Sequence, residues 1–218
     1  MRILVINPNS NQAVTDGMAA ALKPLQIDGG PEIECVTLAE GPFGVESQAD
    51  VESVTLPLKK LVSERDDADA YVIACYSDPG LHVCREATEK PVFGIQECGV
   101  LTALSLGDRF GVIALGSASI KRHLRYIRQM GVVERLANER ATNLSVADSA
   151  SGAGTFDRLC DVGRDLRDLD GADTIILGCA GMAKHRAALA DRLGIPVTDP
   201  VQAATAMAIG AVLLHRQS

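Results

Sequence analysis

Short runs of aliphatic and β-branched residues recur along the chain with helix-length segments between most of them: ILVIN (3–7), EIECVTL (32–38), AYVIAC (70–75), PVFGI (91–95), FGVIAL (110–115), TIILGC (174–179) and PVT (196–198). This rhythm confines the chain to an α/β fold, because strands that are apolar on both faces need cover on both sides and the intervening helices supply it. Parallel sheets are the expected result. No composition shift or long linker marks a boundary, and the stretch 138–154, rich in Ser, Ala and Asn, reads as an irregular loop.

The strands also repeat. RILVINPNS (2–10) lies over RFGVIALGS (109–117) at an offset of 107, with Arg2/Arg109, Val5/Val112, Ile6/Ile113 and Ser10/Ser117 identical. ADAYVIAC (68–75) lies over ADTIILGC (172–179) at an offset of 104, and KPVFGI (90–95) over IPVTDP (195–200) at 105. Three ordered matches near half the chain length predict two similar α/β halves.

Composition narrows the function. Lys and Arg number 21 against 28 Asp and Glu, a net charge of −7, which argues against a nucleic-acid or anionic-membrane surface. Three Tyr, four Phe and no Trp leave few rings for stacking bases or sugars. With 47% apolar residues over 218 positions, the chain can bury a core without metal or disulfide staples. Its longest apolar stretch, 203–214, falls short of the roughly 20 residues of a membrane span, so no membrane association is expected. There is no GxGxxG and no GxxxxGKS, which leaves nucleotide binding without support.

Six cysteines, at 35, 75, 84, 98, 160 and 179, form no CxxC pair and have no His at zinc-finger spacing. The N-terminal MRILVIN lacks the pattern of an export signal, so the expectation is reduced thiols in a cytoplasm and no bound metal. His82, His123, His185 and His215 fall in charge-rich helical stretches without ligand spacing and read as solvated or capping groups.

Two of the thiols recur in one context. Cys75 ends AYVIAC and is followed by YSDPGL, where Asp78 can cap a helix with Pro79 at its first position. Cys179 ends TIILGC and is followed by AGMAKHRAAL, which opens a helix almost at once. Both sit at the carboxyl end of a strand, where open α/β sheets bind ligands. A helix N-terminus lowers a thiol pKa from its usual value near 8.5, which predicts groups able to give or take a proton. Facing each other across a cleft, two such thiols can remove a proton from one side of a carbon and return one to the other. On spacing alone, strand-terminal cysteines are more often small core residues, and Cys35, Cys84 and Cys160 read that way. Cys98, near a helix start, shares that reading, with activation by the helix as its rival.

Polar turns follow the same pattern. Asn7, Pro8, Asn9 and Ser10 follow the first strand, and Ser117 and Ser119 occupy the matching turn of the second half. Either turn alone is usually capping; two in corresponding places point to ligand binding.

INPNS, GPFGVES with Asp50 beyond, VIACYSDPGL, PVFGIQE, LGCAGMA and IPVTDPVQAA together resemble the Asp/Glu/hydantoin racemase superfamily, nearest its hydantoin and allantoin racemases. The resemblance runs from Arg2 to about residue 212 and is weakest between 135 and 160. It implies two pseudo-symmetric α/β domains with parallel sheets, 1–97 with 199–218 and 98–198, with the active site in the cleft between them. It further implies racemisation without a cofactor, Cys75 and Cys179 as acid/base thiols, and homo-oligomeric assembly. Asn9, Ser10, Tyr76, Ser77, Ser117, Ser119, Ala180 and Gly181 would line the pocket of a small-molecule substrate. Tyr76, Ser77, Asp78 departs from the Phe, Gly or Asp, Asp run common after the first cysteine of hydantoin and allantoin racemases. GSASIKRHLRYI resembles the loop with which amino-acid racemases hold an α-carboxylate. The leading expectation is a racemase of 5-substituted hydantoins or a related ureide. Its alternatives are an Asp/Glu-type amino-acid racemase, a one-thiol decarboxylase or cis-trans isomerase, and a non-catalytic binding protein.

Overall fold

The computed structural model describes residues 1–145 and 154–215. β1 (Arg2–Asn7), α1 (Gln12–Leu22), β2 (Glu32–Thr37), α2 (Gln48–Ser53), α3 (Thr55–Glu64), β3 (Ala70–Ile73), α4 (Leu81–Glu86), β4 (Val92–Gly94) and α5 (Ile95–Leu106) make up the first part of the chain. β5 (Phe110–Ala114), α6 (Ser117–Gln129), β6 (Leu136–Ala141), α7 (Thr155–Asp168), β7 (Thr174–Leu177), a 3-10 segment (Ala180–His185), α8 (Arg186–Leu193), β8 (Val197–Thr198) and α9 (Pro200–His215) follow. They form two four-stranded parallel sheets, ordered β2-β1-β3-β4 and β6-β5-β7-β8. The α/β architecture with parallel sheets is therefore as the strand pattern predicts.

The repeat is visible bond by bond. Ile6 pairs with Ile73 and Ile113 with Leu177 in the two central strand pairs. The Arg2 N–H meets the Asp69 carboxylate at 2.6 Å, and the Arg109 N–H meets Asp173 at 2.9 Å. Beyond the strands, Ala74 N–H donates to the Ile6 carbonyl and Gly178 N–H to the Ile113 carbonyl, both at 2.8 Å. Identical registers bring Cys75 and Cys179 to corresponding sheet ends.

β3, β5 and β7 are buried at every residue, which is why their sequences are continuous apolar runs. α1 starts where Asn11 accepts the Ala13 N–H at 3.1 Å, and it buries Val14, Met18 and Leu22 along one face. α2 starts at a reciprocal Ser47/Asp50 capping box. The helices then cross between sheets. α5 packs on β7 and β8 of the second sheet, while α9 packs on β1, β3 and β4 of the first and against α5. One apolar core results, holding Ile3 and Val72, Phe110 and Ile176, and Val201 and Ala204 of α9. Burial of each large side chain there stabilises by about 1.5–3 kcal/mol.

Two local expectations are corrected. The stretch read as a loop from 138 contains most of β6, whose LANERA run escapes an apolar search because it is an edge strand with one buried residue, Glu139. Positions 146–153 of that stretch lie outside the described residues. The helix expected at Pro79 begins at Leu81, because Asp78 and Gly80 take φ of 41° and 64°, outside helical geometry. Among the described residues, no helix is long and apolar enough to cross a membrane.

Candidate active site

Cys75 lies just past β3, and Cys179 follows β7 through Gly178. Gly178 must be glycine, because a Cβ there would stand 2.6 Å from the Ile113 carbonyl oxygen. Both cysteines line one cavity of about 170 Å³, small beside the roughly 300–1,000 Å³ of pockets for drug-sized ligands. A small, compact substrate fits that size.

Cys179 Sγ accepts the Gly181 N–H at 3.4 Å. The surroundings of Cys75 raise its affinity for its proton. Burial pushes its thiol up to about 12, the nearby Cys179 and Asp78 push the same way, and the Ser77 N–H and Arg122 pull back less strongly. Cys75 is therefore a thiol at neutral pH, and the predicted lowering by a helix N-terminus does not occur there: residues 76–80 form turns rather than helix. Cys179 does stand at the N-cap of the 3-10 segment.

The other expected residues divide. Asn9, Tyr76, Ser77, Ser119 and Ala180 line the cavity with the two cysteines. The Asn9 side-chain oxygen is taken by Asn7 Nδ2 and the Asn11 N–H, both at 3.0 Å, which leaves its NH₂ as the donor for a ligand. Ser119 Oγ donates to the Gly116 carbonyl at 2.8 Å. Ser10, Ser117 and Gly181 are not among the lining residues: Ser10 N–H is bound to the Pro42 carbonyl, Ser117 is exposed at the start of α6, and Gly181 serves Cys179. Cys98 is buried on α5 away from the cavity, and burial holds its thiol far above the ordinary range.

Sequence reasoning missed Glu46, Arg122 and His123, which also line the cavity. Arg122 and His123 stand three and four residues after Ser119 on α6, so helical periodicity carries all three on one face; that spacing was the available signal. His123 is neither solvated nor capping. It is 3% exposed, its Nδ1 lies 2.5 Å from Glu139 Oε1, and its ring stands edge-on to Tyr76 with centroids 5.0 Å apart. The polar run of β6 supplies the carboxylate that makes a buried imidazole tolerable. Among the described residues, no group of three or more His, Cys, Asp or Glu could hold a metal ion.

Comparison with known proteins agrees with this architecture. The chain is 36% identical over 223 residues to a hydantoin racemase of Paenarthrobacter aurescens, covering 100% of this chain and 94% of that protein. It is 38% identical over 225 residues to a hydantoin racemase of a Pseudomonas species (strain NS671), covering 100% and 88%. The solved structure of an allantoin racemase from Klebsiella pneumoniae superposes with a TM-score of 0.92 at 30% identity, covering 99% of this chain and 89% of that one. The model of the Asp/Glu/Hydantoin racemase family matches residues 3–208, and the chain belongs to that family.

Proposed function

We propose that this protein racemises 5-substituted hydantoins or a related ureide by moving a proton between Cys75, Cys179 and the C5 carbon, with no cofactor. One observation carries the reading: thiols from corresponding ends of two repeated sheets open on a single small cavity. The names of the hydantoin and allantoin racemases it resembles supply the substrate class. In this reading the lobes are 1–97 with 199–218 and 98–198, the cavity is the cleft between them, and the protein works as a cytoplasmic homo-oligomer.

The chemistry needs one thiolate and one thiol. A thiolate on Cys179 takes the C5 proton, the carbanion delocalises into the adjacent neutral amide carbonyl, and the Cys75 thiol returns a proton to the opposite face. The upward shift of the Cys75 thiol suits it to that resting role as acid. For the other enantiomer the roles exchange. The Asn9 NH₂ and backbone N–H groups of the two turns are the donors that hold the developing enolate oxygen.

A second reading, racemisation of a free acidic amino acid, draws support from Arg122, a cavity cation able to hold an α-carboxylate. That reaction is harder, since the proton leaves beside a carboxylate. Solvent-deuterium incorporation into a panel of hydantoins, allantoin, aspartate and glutamate separates the readings. Cys75→Ser and Cys179→Ser each abolish racemisation, while exchange at C5 persists for the enantiomer that faces the remaining thiol. Full turnover by either variant removes the paired role and leaves a one-thiol reaction.

A further inference from the structure

Arg122 enters the cavity wall from α6 and is partly buried there. Its one hydrogen bond among the described residues runs from Nε to Ser77 Oγ at 3.4 Å, at the long limit for such a bond. No carboxylate of the described residues lies within ion-pair distance of it, although its field reaches Asp50 and Cys75. The partly buried Arg65 and Arg140 are, by contrast, paired with Glu34 and Asp170. Among the described residues, the terminal nitrogens of Arg122 are thus an unused fork in the wall of a cavity that holds two sulfurs. Glu46, the other charged side chain on the wall, is itself engaged by a neighbour.

We infer that Arg122 is a specificity-determining residue that receives an anionic group on the C5 substituent, so that hydantoins bearing a side-chain carboxylate are the preferred substrates. The inference rests on the racemase reading above and narrows its substrate class. A planar guanidinium meets a carboxylate through two parallel N–H···O bonds, which no neutral substituent reproduces. The cavity's size favours a short substituent of one or two carbons before the carboxylate.

The experiment compares kcat/KM for 5-carboxymethylhydantoin with its neutral isostere 5-carbamoylmethylhydantoin and with 5-methylhydantoin, in the full-length enzyme. The wild type is expected to favour the acid over the amide by about tenfold or more, the factor of a charge-assisted hydrogen bond. Arg122→Gln brings that ratio close to one, and Arg122→Lys keeps part of it, whatever either change does to turnover in general. Equal use of acid and amide, preference for the amide, turnover of the methyl compound alone, or an unchanged ratio in Arg122→Gln overturns the inference and leaves the racemase reading standing. Turnover of free aspartate with none of any hydantoin overturns both.

Discussion

The Asp78 carboxylate accepts the Gln96 N–H at 2.8 Å across eighteen residues of chain, and the Glu97 N–H at the same distance. Asp78 N–H meanwhile donates to the Cys75 carbonyl at 3.0 Å, so one residue ties the turn behind the first thiol to the start of α5. The tie depends on Gly94, where a Cβ would stand 2.3 Å from the carboxylate. Gly94→Ala should therefore destabilise by about 1–3 kcal/mol through overpacking, which lowers Tm by roughly 2–4 °C per kcal/mol in a chain of this size. Gly210→Ala is the control. Its Cβ meets nothing within 4 Å in the middle of α9, so helix propensity predicts neutrality or a gain of up to about 1 kcal/mol. Thermal melts of both variants check the contrast, and a neutral Gly94→Ala would remove the tie from the account.

Asp78 also sets a pH dependence of stability. Burial pushes its carboxyl up to about 7, with the Gln96 and Glu97 N–H groups holding it back, and Asp199 is pushed up to about 6 by burial in the same way. Both values exceed the ordinary carboxyl pKa, so at these two groups the folded state binds more protons than the unfolded state between pH about 4 and 7. The stability these groups contribute is complete below pH about 4 and lost as pH rises through 6 and 7. In Asp78→Asn, which cannot ionise, Tm should decline less steeply over that window than in the wild type. Parallel slopes in the two proteins would count against a protonated Asp78.

How far the sequence alone reached depends on whether a feature is local. The buried strands were legible because parallel sheets covered on both faces require unbroken apolar runs, and the repeat was legible because the same register recurs at offsets of 104 to 107. Cys75 and Cys179 followed from that repeat. β6 was hidden because an edge strand with one buried residue has no such run. The pairing of Asp78 with Gln96 and of His123 with Glu139 was hidden for another reason. Each joins elements far apart in sequence, and a buried charge acquires its meaning only from the partner that satisfies it.

His123 and Glu139 illustrate the cost of such a partner. Their side chains are 3% and 1% exposed, and among the described residues neither Glu139 Oε2 nor the Tyr76 hydroxyl beside the ring has a hydrogen-bond partner. Removing one member strands the other in apolar surroundings, so Glu139→Leu should cost about 3–5 kcal/mol in urea unfolding. His123→Leu with Glu139→Leu should recover most of that loss, because two apolar groups need no partner. Losses in the double variant that equal the sum of the singles would show that the pair contributes nothing through its contact.

The thiol pair makes the sharpest kinetic prediction. A racemase has an equilibrium constant of one, so kcat/KM for the two enantiomers must follow the same pH profile, and that profile reports the pair rather than either sulfur. The active form carries one proton. It appears as the first thiol ionises and disappears only when the second is lost. Because burial and the Cys179 charge push Cys75 up to about 12, the alkaline fall due to the thiol lies far above neutrality, so activity should rise with pH, and any decline below pH about 10 should coincide with ionisation of the hydantoin ring N–H titrated in the free substrate. Alkylation of Cys75 by iodoacetamide checks the cause. In Cys179→Ala the neighbouring charge is gone, so the Cys75 labelling curve should move to lower pH than in the wild type. In Arg122→Gln a favourable cation is gone, and the curve should move higher. Curves that coincide in all three proteins would mean that the sulfurs do not sense each other across the cavity, and the shared-proton mechanism would lose its physical basis.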